Sequence, residues 1–213
     1  MIHSMIPHGS EAPSDWIRRW SHLVPARSSV LDVACGRGRH ARWMQGLGHA
    51  VTGVDRSAEA LAELARAGAD AAAAEQPAPA IETVCADIES GPWPFAGSQF
   101  GGVVVTNYLW RPLLPTLVAS VAPGGVLLYE TFAAGNETVG RPARPDFLLA
   151  PGELWAVCQG LRIVAFEDGW LPSPERFVQR IAAVHERPRS APARHALVPP
   201  AAPSTPAPGA SAG

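Results

Sequence analysis

The feature that most constrains this chain is the run Val30 to Ser57, VLDVACGRGRHARWMQGLGHAVTGVDRS. A short β-prone stretch ends on an acid, turns through glycines and enters a helical pattern. Glycines at 36 and 38 let the backbone turn sharply and approach a ligand closely, and the first amides of the following helix offer unpaired N–H donors. A second β-prone stretch, Ala50 to Asp55, again ends on an acid. Strand, glycine turn, helix and strand form a βαβ unit, and the glycines imply a nucleotide-like cofactor.

The alternation continues on both sides. Ser14 can cap a helix that carries Trp16, Ile17, Trp20 and Leu23 on one face. Strands are predicted at Ser29 to Val33, Ala50 to Asp55, Ile81 to Cys85, Gly102 to Thr106 and Val126 to Thr131. Helices are predicted at Arg39 to Gly46, Ser57 to Gly68 and Leu113 to Val121, with Asp70 to Ala80 as a variable connection and Pro123-Gly124-Gly125 as the turn into the fifth strand. Five repeats of strand then helix result. Ala133 to Pro151 is too long for a passive connection and is read as a lid or substrate loop, closed by a short helix from Glu153 to Gln159. Leu161 to Trp170 and Arg176 to His185 flank a Pro-Ser-Pro turn and read as an antiparallel hairpin. The expected fold is an α/β, doubly wound, Rossmann-like sheet of seven strands, mostly parallel with the last strand antiparallel and helices on both faces.

At 213 residues the chain has room for one such domain. It is placed at 14–186, between a flexible N-terminus, 1–13, and a Pro/Ala-rich tail, 187–213, too poor in large apolar residues to fold. The formal charge of −2 supplies no overall positive field, so bulk nucleic-acid binding is not expected, although a local arginine patch stays open. Cys35, Cys85 and Cys158 are odd in number and widely spaced, which fits a reducing cytoplasm and no disulfide framework. No export signal and no run near the roughly 18 apolar residues of a span is present, so a cytoplasmic protein without a membrane partner is expected. His40, His49, His185 and His195 lack metal-ligand spacing, and no metal is expected. Monomer and homodimer both stay open.

Gly36-x-Gly38-x-x-Ala41 followed by Asp55 also satisfies a loose dinucleotide fingerprint, which keeps an NAD(P)-dependent oxidoreductase in play. Asp32 separates the two cofactors. A carboxylate beside the glycine turn repels a pyrophosphate, but it favours the ammonium of a methionine moiety, directly or through water. Asp55 can accept from both ribose hydroxyls, and Asp87 from an adenine amino group with Ile88 on the ring. Three acids on three successive strand ends indicate S-adenosyl-L-methionine.

With these residues in place, the chain resembles the class I S-adenosylmethionine-dependent methyltransferase superfamily over roughly Ser14 to Glu186. The resemblance rests on the acidic glycine loop, the acids after the second and third strands, the Pro-Gly-Gly before the fifth and the terminal hairpin. Within it, DVACGRGRHA and the N-terminal helix are similar to the bacterial tellurite-resistance and related small-molecule methyltransferases. TNYLWRPL and YETFAAGNETVGRP look like a proteobacterial group of methyltransferase-domain proteins. The resemblance implies cofactor roles for Asp32, Gly36, Gly38, Asp55, Asp87 and Ile88, and no substrate. Asn107, at the fourth strand end, is grouped with them. Two departures stand out. The first glycine of the superfamily loop is Ala34 here, followed by Cys35, both small enough to keep the turn. The fourth strand ends Thr106-Asn107-Tyr108-Leu109 and lacks the Asn/Asp-Pro-Pro-aromatic sequence of amino-directed base and protein-glutamine methyltransferases, which argues against those substrates.

The implied reaction is in-line displacement at a sulfonium methyl, for which the protein supplies alignment and exclusion of water. A soft nucleophile needs no base, whereas a hydroxyl or protonated amine needs one. Ligands of open α/β sheets bind at the carboxyl ends of the strands, so Tyr108 and Glu130 are the candidate catalytic residues, Glu130 as base or hydrogen-bond acceptor. Trp110, Arg111, Asn136 and Arg141 are the candidate substrate contacts. Competing assignments are rim packing for Tyr108 and Trp110, and an ion pair with Arg141 or Arg111 for Glu130. The function expected is methyl transfer to a small-molecule acceptor. The alternatives are an RNA or protein methyltransferase, favoured if Arg18, Arg19, Arg141 and Arg144 clustered at the pocket mouth, the oxidoreductase, and a non-catalytic S-adenosylmethionine-binding regulator.

Overall fold

The computed structural model describes residues 12–73, 78–188 and 191–200. Ser14 caps the first helix as its sequence suggests, its Oγ accepting from Trp16 N at 3.1 Å, and helix α1 (Asp15–Trp20) buries Trp16, Ile17 and Trp20. Strand β1 (Ser29–Val33), helix α2 (Arg39–Gly46), strand β2 (Ala50–Asp55), helix α3 (Ala58–Ala72) and strand β3 (Ile81–Cys85) follow. Then come β4 (Phe100–Thr106), α4 (Leu114–Ala119), β5 (Val121–Phe132), α5 (Glu153–Val157), β6 (Arg162–Pro172) and β7 (Glu175–Val184).

These strands form one seven-stranded sheet of order β3-β2-β1-β4-β5-β7-β6. β1 to β5 pair in parallel, and β7 alone runs against both of its neighbours. Because successive strand residues point to opposite faces, each central strand feeds two cores. Leu31, Val33, Val103, Val105, Leu127, Tyr129 and Ile181 meet Leu114 and Leu117 of α4 and Leu154 of α5 on one face. Val30, Val104, Val126, Leu128 and Ala182 meet Trp16, Trp20, Met44 and Leu64 on the other. Both faces of a parallel sheet must be covered in this way, which is why its strands are nearly unbroken apolar runs.

The structure departs from the sequence reading in several places. The helix expected from Leu113 to Val121 is α4, preceded by a 3-10 turn at Arg111–Leu113, and Val121 already belongs to β5. Pro123-Gly124-Gly125 is therefore a bulge inside β5: the register passes from Phe100↔Val121 to Gly102↔Val126, five residues of β5 against two of β4. Pro123 has no N–H to give a ladder, so the chain loops out there. Among the described residues no helix joins β3 to β4, so the strand-helix repeat is broken once. α3 runs past Gly68 to Ala72, through alanines of high helix propensity, into what was expected to be connection. The helix expected to reach Gln159 stops at Val157.

The 133–151 segment contains 3-10 turns at Asn136–Thr138 and Pro145–Phe147 and buries Leu148 and Leu149. The expected flexible N-terminus lies outside the described residues through position 11, as do 189–190 and 201–213 of the tail. Residues 191–200 carry neither helix nor strand, and His195 Nε2 stands 2.9 Å from Glu186 Oε1. Among the described residues no helix is long and apolar enough to cross a membrane.

Candidate functional site

A cleft with about 450 Å³ of empty space opens at the carboxyl ends of the first three strands and β4, lined by Ala34, Asp55, Arg56, Ala86, Asp87, Ile88, Glu89 and Tyr108. Its floor is the glycine turn. Ala34, Gly36 and Gly38 all have positive φ, at 51°, 52° and 72°. Cys35 N donates to Val54 O at 3.0 Å and Gly36 N to Asp55 Oδ2 at 2.8 Å, tying the turn to the end of β2.

The two glycines answer different demands. A Cβ on Gly36 would meet nothing within 4 Å, so the space above it is free for a close approach; a Cβ on Gly38 would fall inside the side chain of Leu64. Gly38→Ala is expected to cost about 1–3 kcal/mol of stability, from overpacking and the left-handed backbone, measurable by denaturant unfolding. Gly36→Ala, which meets no atoms, is expected to cost less stability and to act on ligand binding instead.

Asp55 is already half used. Oδ1 accepts from Ser57 N at 2.8 Å and Oδ2 from Gly36 N, which leaves about two of a carboxylate's roughly four lone-pair positions for a ligand. Asp87 Oδ1 accepts from Glu89 N at 2.9 Å and Ser90 N at 3.1 Å, and these amides hold its carboxyl below the usual carboxylate range. Ile88 is buried against the cleft. The Tyr108 ring lines the same cleft, and its hydroxyl is buried beside Glu89. Burial, and then Glu89 and Asp87, push that phenol up and keep it protonated.

Asp32 closes β1 beneath the turn. It is fully buried, burial pushes its carboxyl up from 3.8 to about 7, and Oδ2 has no hydrogen-bond partner among the described residues. A buried carboxylate oxygen without a donor is expensive, and a cationic ligand group relieves it. Cys35 packs against Gly53 of β2, and burial, with Asp32 and Asp55 nearby, pushes its thiol up, so it is no reactive thiolate.

On the acceptor side the structure assembles a group that the sequence reading largely missed. Glu130 is fully buried and accepts from Ser14 Oγ at 3.0 Å, Arg176 Nη2 at 3.4 Å and Arg180 Nη1 at 3.2 Å. Its ion-pair partners are thus arginines of β7, not Arg111 or Arg141. His40, which burial and then Arg39 lower to about 3, is neutral. Its Nε2 accepts from Ser14 N at 3.1 Å, so Nδ1 carries the proton and donates to Thr106 Oγ1 at 3.1 Å. Arg176 and Arg180 are four apart on one face of a strand. That spacing is readable, but its meaning depends on β7 lying beside β5.

The expected substrate contacts do not line the cleft. Arg111 is spent on the 133–151 segment, donating to Glu153 at 2.8 and 3.0 Å and to the carbonyls of Asp146 and Leu148. Asn136 is buried and bonds Pro142 O and Phe177 N. Trp110 and Arg141 are exposed. Asn107 has a φ of 53° at the end of β4 and gives its N–H to Glu130 O.

Residues 30–125 match the family model described as a methyltransferase domain. No protein of curated function matches the chain in sequence. Among solved structures, TehB from Haemophilus influenzae superposes with a TM-score of 0.63 at 20% identity, over 81% of this chain. The chain spans 62% of the length of that TehB chain. A SAM-dependent methyltransferase from Methanosarcina mazei gives 0.63 at 15% identity, over 83% of this chain and 99% of that one. The N-methyltransferase NodS from Bradyrhizobium japonicum gives 0.60 at 16% identity, over 79% and 93%. At such identities the structural likeness is one of fold. The cleft's carboxylates, Asp55, Asp87 and Glu89 above Asp32, face a single lining arginine, Arg56, an arrangement hostile to a pyrophosphate. Residues 30–125 thus match a methyltransferase domain, in a chain whose fold is that of the S-adenosylmethionine-dependent methyltransferases it superposes on.

Proposed function

We propose that this protein transfers a methyl group from S-adenosylmethionine to a small-molecule acceptor. The observation that carries the reading is Asp32, buried at the end of β1 with an oxygen lacking any donor, beside a turn whose Gly36 leaves room for a ligand. Asp32 would meet the ammonium, Asp55 the ribose, Asp87 the adenine amino group, and Ile88 and Tyr108 the ring. When bound, S-adenosylmethionine supplies an electrophilic methyl on a sulfonium. The chain's own residues orient it and exclude water.

Of the groups at the ends of β4 and β5 and beside them, Glu130, Tyr108 and His40 do not stand ready as general bases. Glu130 is held by two guanidinium groups and Ser14, Tyr108 keeps its proton, and His40 has both nitrogens engaged. This favours an acceptor that arrives with a lone pair already available. A small molecule is favoured over RNA because three of the four arginines that could have formed a basic rim are paired, Arg18 with Asp15, Arg19 with Glu167 and Arg144 with Asp146, which leaves Arg141.

Titration calorimetry tests the cofactor: S-adenosylhomocysteine binds and NADH does not, and failure of the former overturns the reading. Asp32 adds a pH signature for the methyl donor and its product, which both carry the ammonium. Below about pH 7 the free protein holds a proton on Asp32 that the ammonium expels, so affinity should rise by up to about tenfold per pH unit and level off above it. In the free protein, Asp32 makes stability fall by about 1.4 kcal/mol per pH unit as pH rises from 3.8 to about 7, because the folded state disfavours the anion. Asp32→Asn should flatten both profiles. An affinity profile that Asp32→Asn leaves unchanged removes the ammonium assignment.

A further inference from the structure

We infer that the acceptor carries a carboxylate and that Arg176 receives it, an inference that rests on the methyltransferase reading above. Arg176 projects from the start of β7, past the carboxyl end of β5. Its Nη2 is 3.4 Å from Glu130 Oε1, while its Nε is buried with no hydrogen-bond partner among the described residues. Nε and Nη2 lie on the same edge of the guanidinium, the edge that grips a carboxylate with two parallel N–H donors, and here it is only half used. An unsatisfied buried donor is a cost that a ligand oxygen removes.

Arg180, four residues along the same face of β7, lacks that capacity. It lies over the Trp16 ring at 5.0 Å, gives Nε and Nη2 to Glu167 at 2.7 and 2.6 Å, and gives Nη1 to Glu130. Local charge points the same way. Arg19, Arg176 and Arg180 face Glu130 and Glu167, three positive groups to two negative, and His40 beside them is neutral. One positive charge is left over for an anion.

Sheet order places this corner where an acceptor must come. The cofactor acids end β1, β2 and β3, while Thr106, Glu130 and Arg180 lie in register across β4, β5 and β7. A groove lined by Glu167, Asp168, Gly169, Trp170, Leu171, Val178 and Arg180 runs along the β6–β7 hairpin; Asp168, next to Glu167 and so on the opposite face of the strand, accepts from Gly152 N at 3.0 Å, and Leu171 pairs in register with Arg176. Leu171 and Val178 present apolar surface beside the guanidinium. An organic acid with an apolar body fits both.

The test compares benzoate with its neutral isostere benzamide, titrated into S-adenosylhomocysteine-saturated full-length protein. Benzoate is expected to bind saturably and at least about tenfold tighter than benzamide, a difference of about 1.4 kcal/mol, and Arg176→Met is expected to erase the difference. Equal affinities in the parent, or a benzoate preference that survives Arg176→Met, would overturn the proposal. Should Arg176→Met no longer bind S-adenosylhomocysteine, Arg176→Lys is read instead: it keeps the charge without the paired donors and should lose several-fold of the preference, and an undiminished preference overturns the assignment. Lack of S-adenosylhomocysteine binding by the parent protein fails the cofactor reading, and is thereby told apart from failure of the subsite.

Discussion

Asp55→Ala should lower S-adenosylhomocysteine affinity by about 100-fold or more in a calorimetric titration. The loss has two sources. Two ribose hydroxyls would each forfeit a hydrogen bond to a charged oxygen, at about 1.5–3 kcal/mol apiece. The glycine turn would also come loose, because Gly36 N and Ser57 N both donate to this carboxylate. Asp55→Asn keeps the volume but turns one acceptor into a donor facing an N–H, so it should fall between parent and alanine. A folded alanine variant that binds within about fivefold of the parent would remove Asp55 from the cofactor site.

Glu130→Ala should be the most destabilising single change at the strand ends, lowering the free energy of unfolding by about 3–5 kcal/mol. Its carboxylate is fully buried, and removing it leaves Arg176 and Arg180 facing each other without their shared counter-charge. It also frees Ser14, whose hydroxyl bonds Glu130 and caps α1, so the docking of that helix loosens with it. Urea unfolding followed by circular dichroism measures the effect, and a loss below about 1 kcal/mol would show that this ion-pair group does not anchor the sheet end. Activity lost in such a variant has to be compared at a temperature where it is still folded. Glu130→Gln that stays folded and keeps full turnover on an identified acceptor would dispose of any base role.

Glu130 also shows where reading the chain residue by residue reaches its limit. An acid at a strand end is a reasonable base, and Arg141 and Arg111 are the ion-pair partners that its place in the sequence suggests. Its real partners are 46 and 50 positions away. The link is the order of the last three strands. The hairpin of β6 and β7 folds back so that β7, the later strand, inserts beside β5 and β6 becomes the edge. The local sequences do not name the inner strand, since β6, RIVAFEDGWLP, and β7, ERFVQRIAAV, each join an apolar run of four to a more polar half. Arg111 and Asn136 show the same limit: both are polar and near the right strand ends, yet tertiary contacts spend them on holding the 133–151 segment.

The geometry of the glycine turn was legible because its signals are short-range. Strand, acid, glycine turn and helix follow one another within a dozen residues, and a parallel βαβ crossover has essentially one handedness, so Asp32, Gly36 and Asp55 come together once the unit forms. Bulge and helix ends were not legible to the same degree, because Pro123-Gly124-Gly125 is equally at home in a turn or in a strand that loops out.

By itself, then, the sequence determined the parallel βαβ core, the turn that closes on Asp55, and the acidic character that suits a methionine ammonium better than a pyrophosphate. Only the tertiary structure decided that Asp32 lies buried with an oxygen unanswered, that Tyr108 lines the cleft at the strand ends, and that Glu130 is locked between Arg176 and Arg180. The physical reason is range. Backbone turns and strand alternation are set by neighbours in the chain, whereas burial and the pairing of buried charge depend on which distant strand packs alongside.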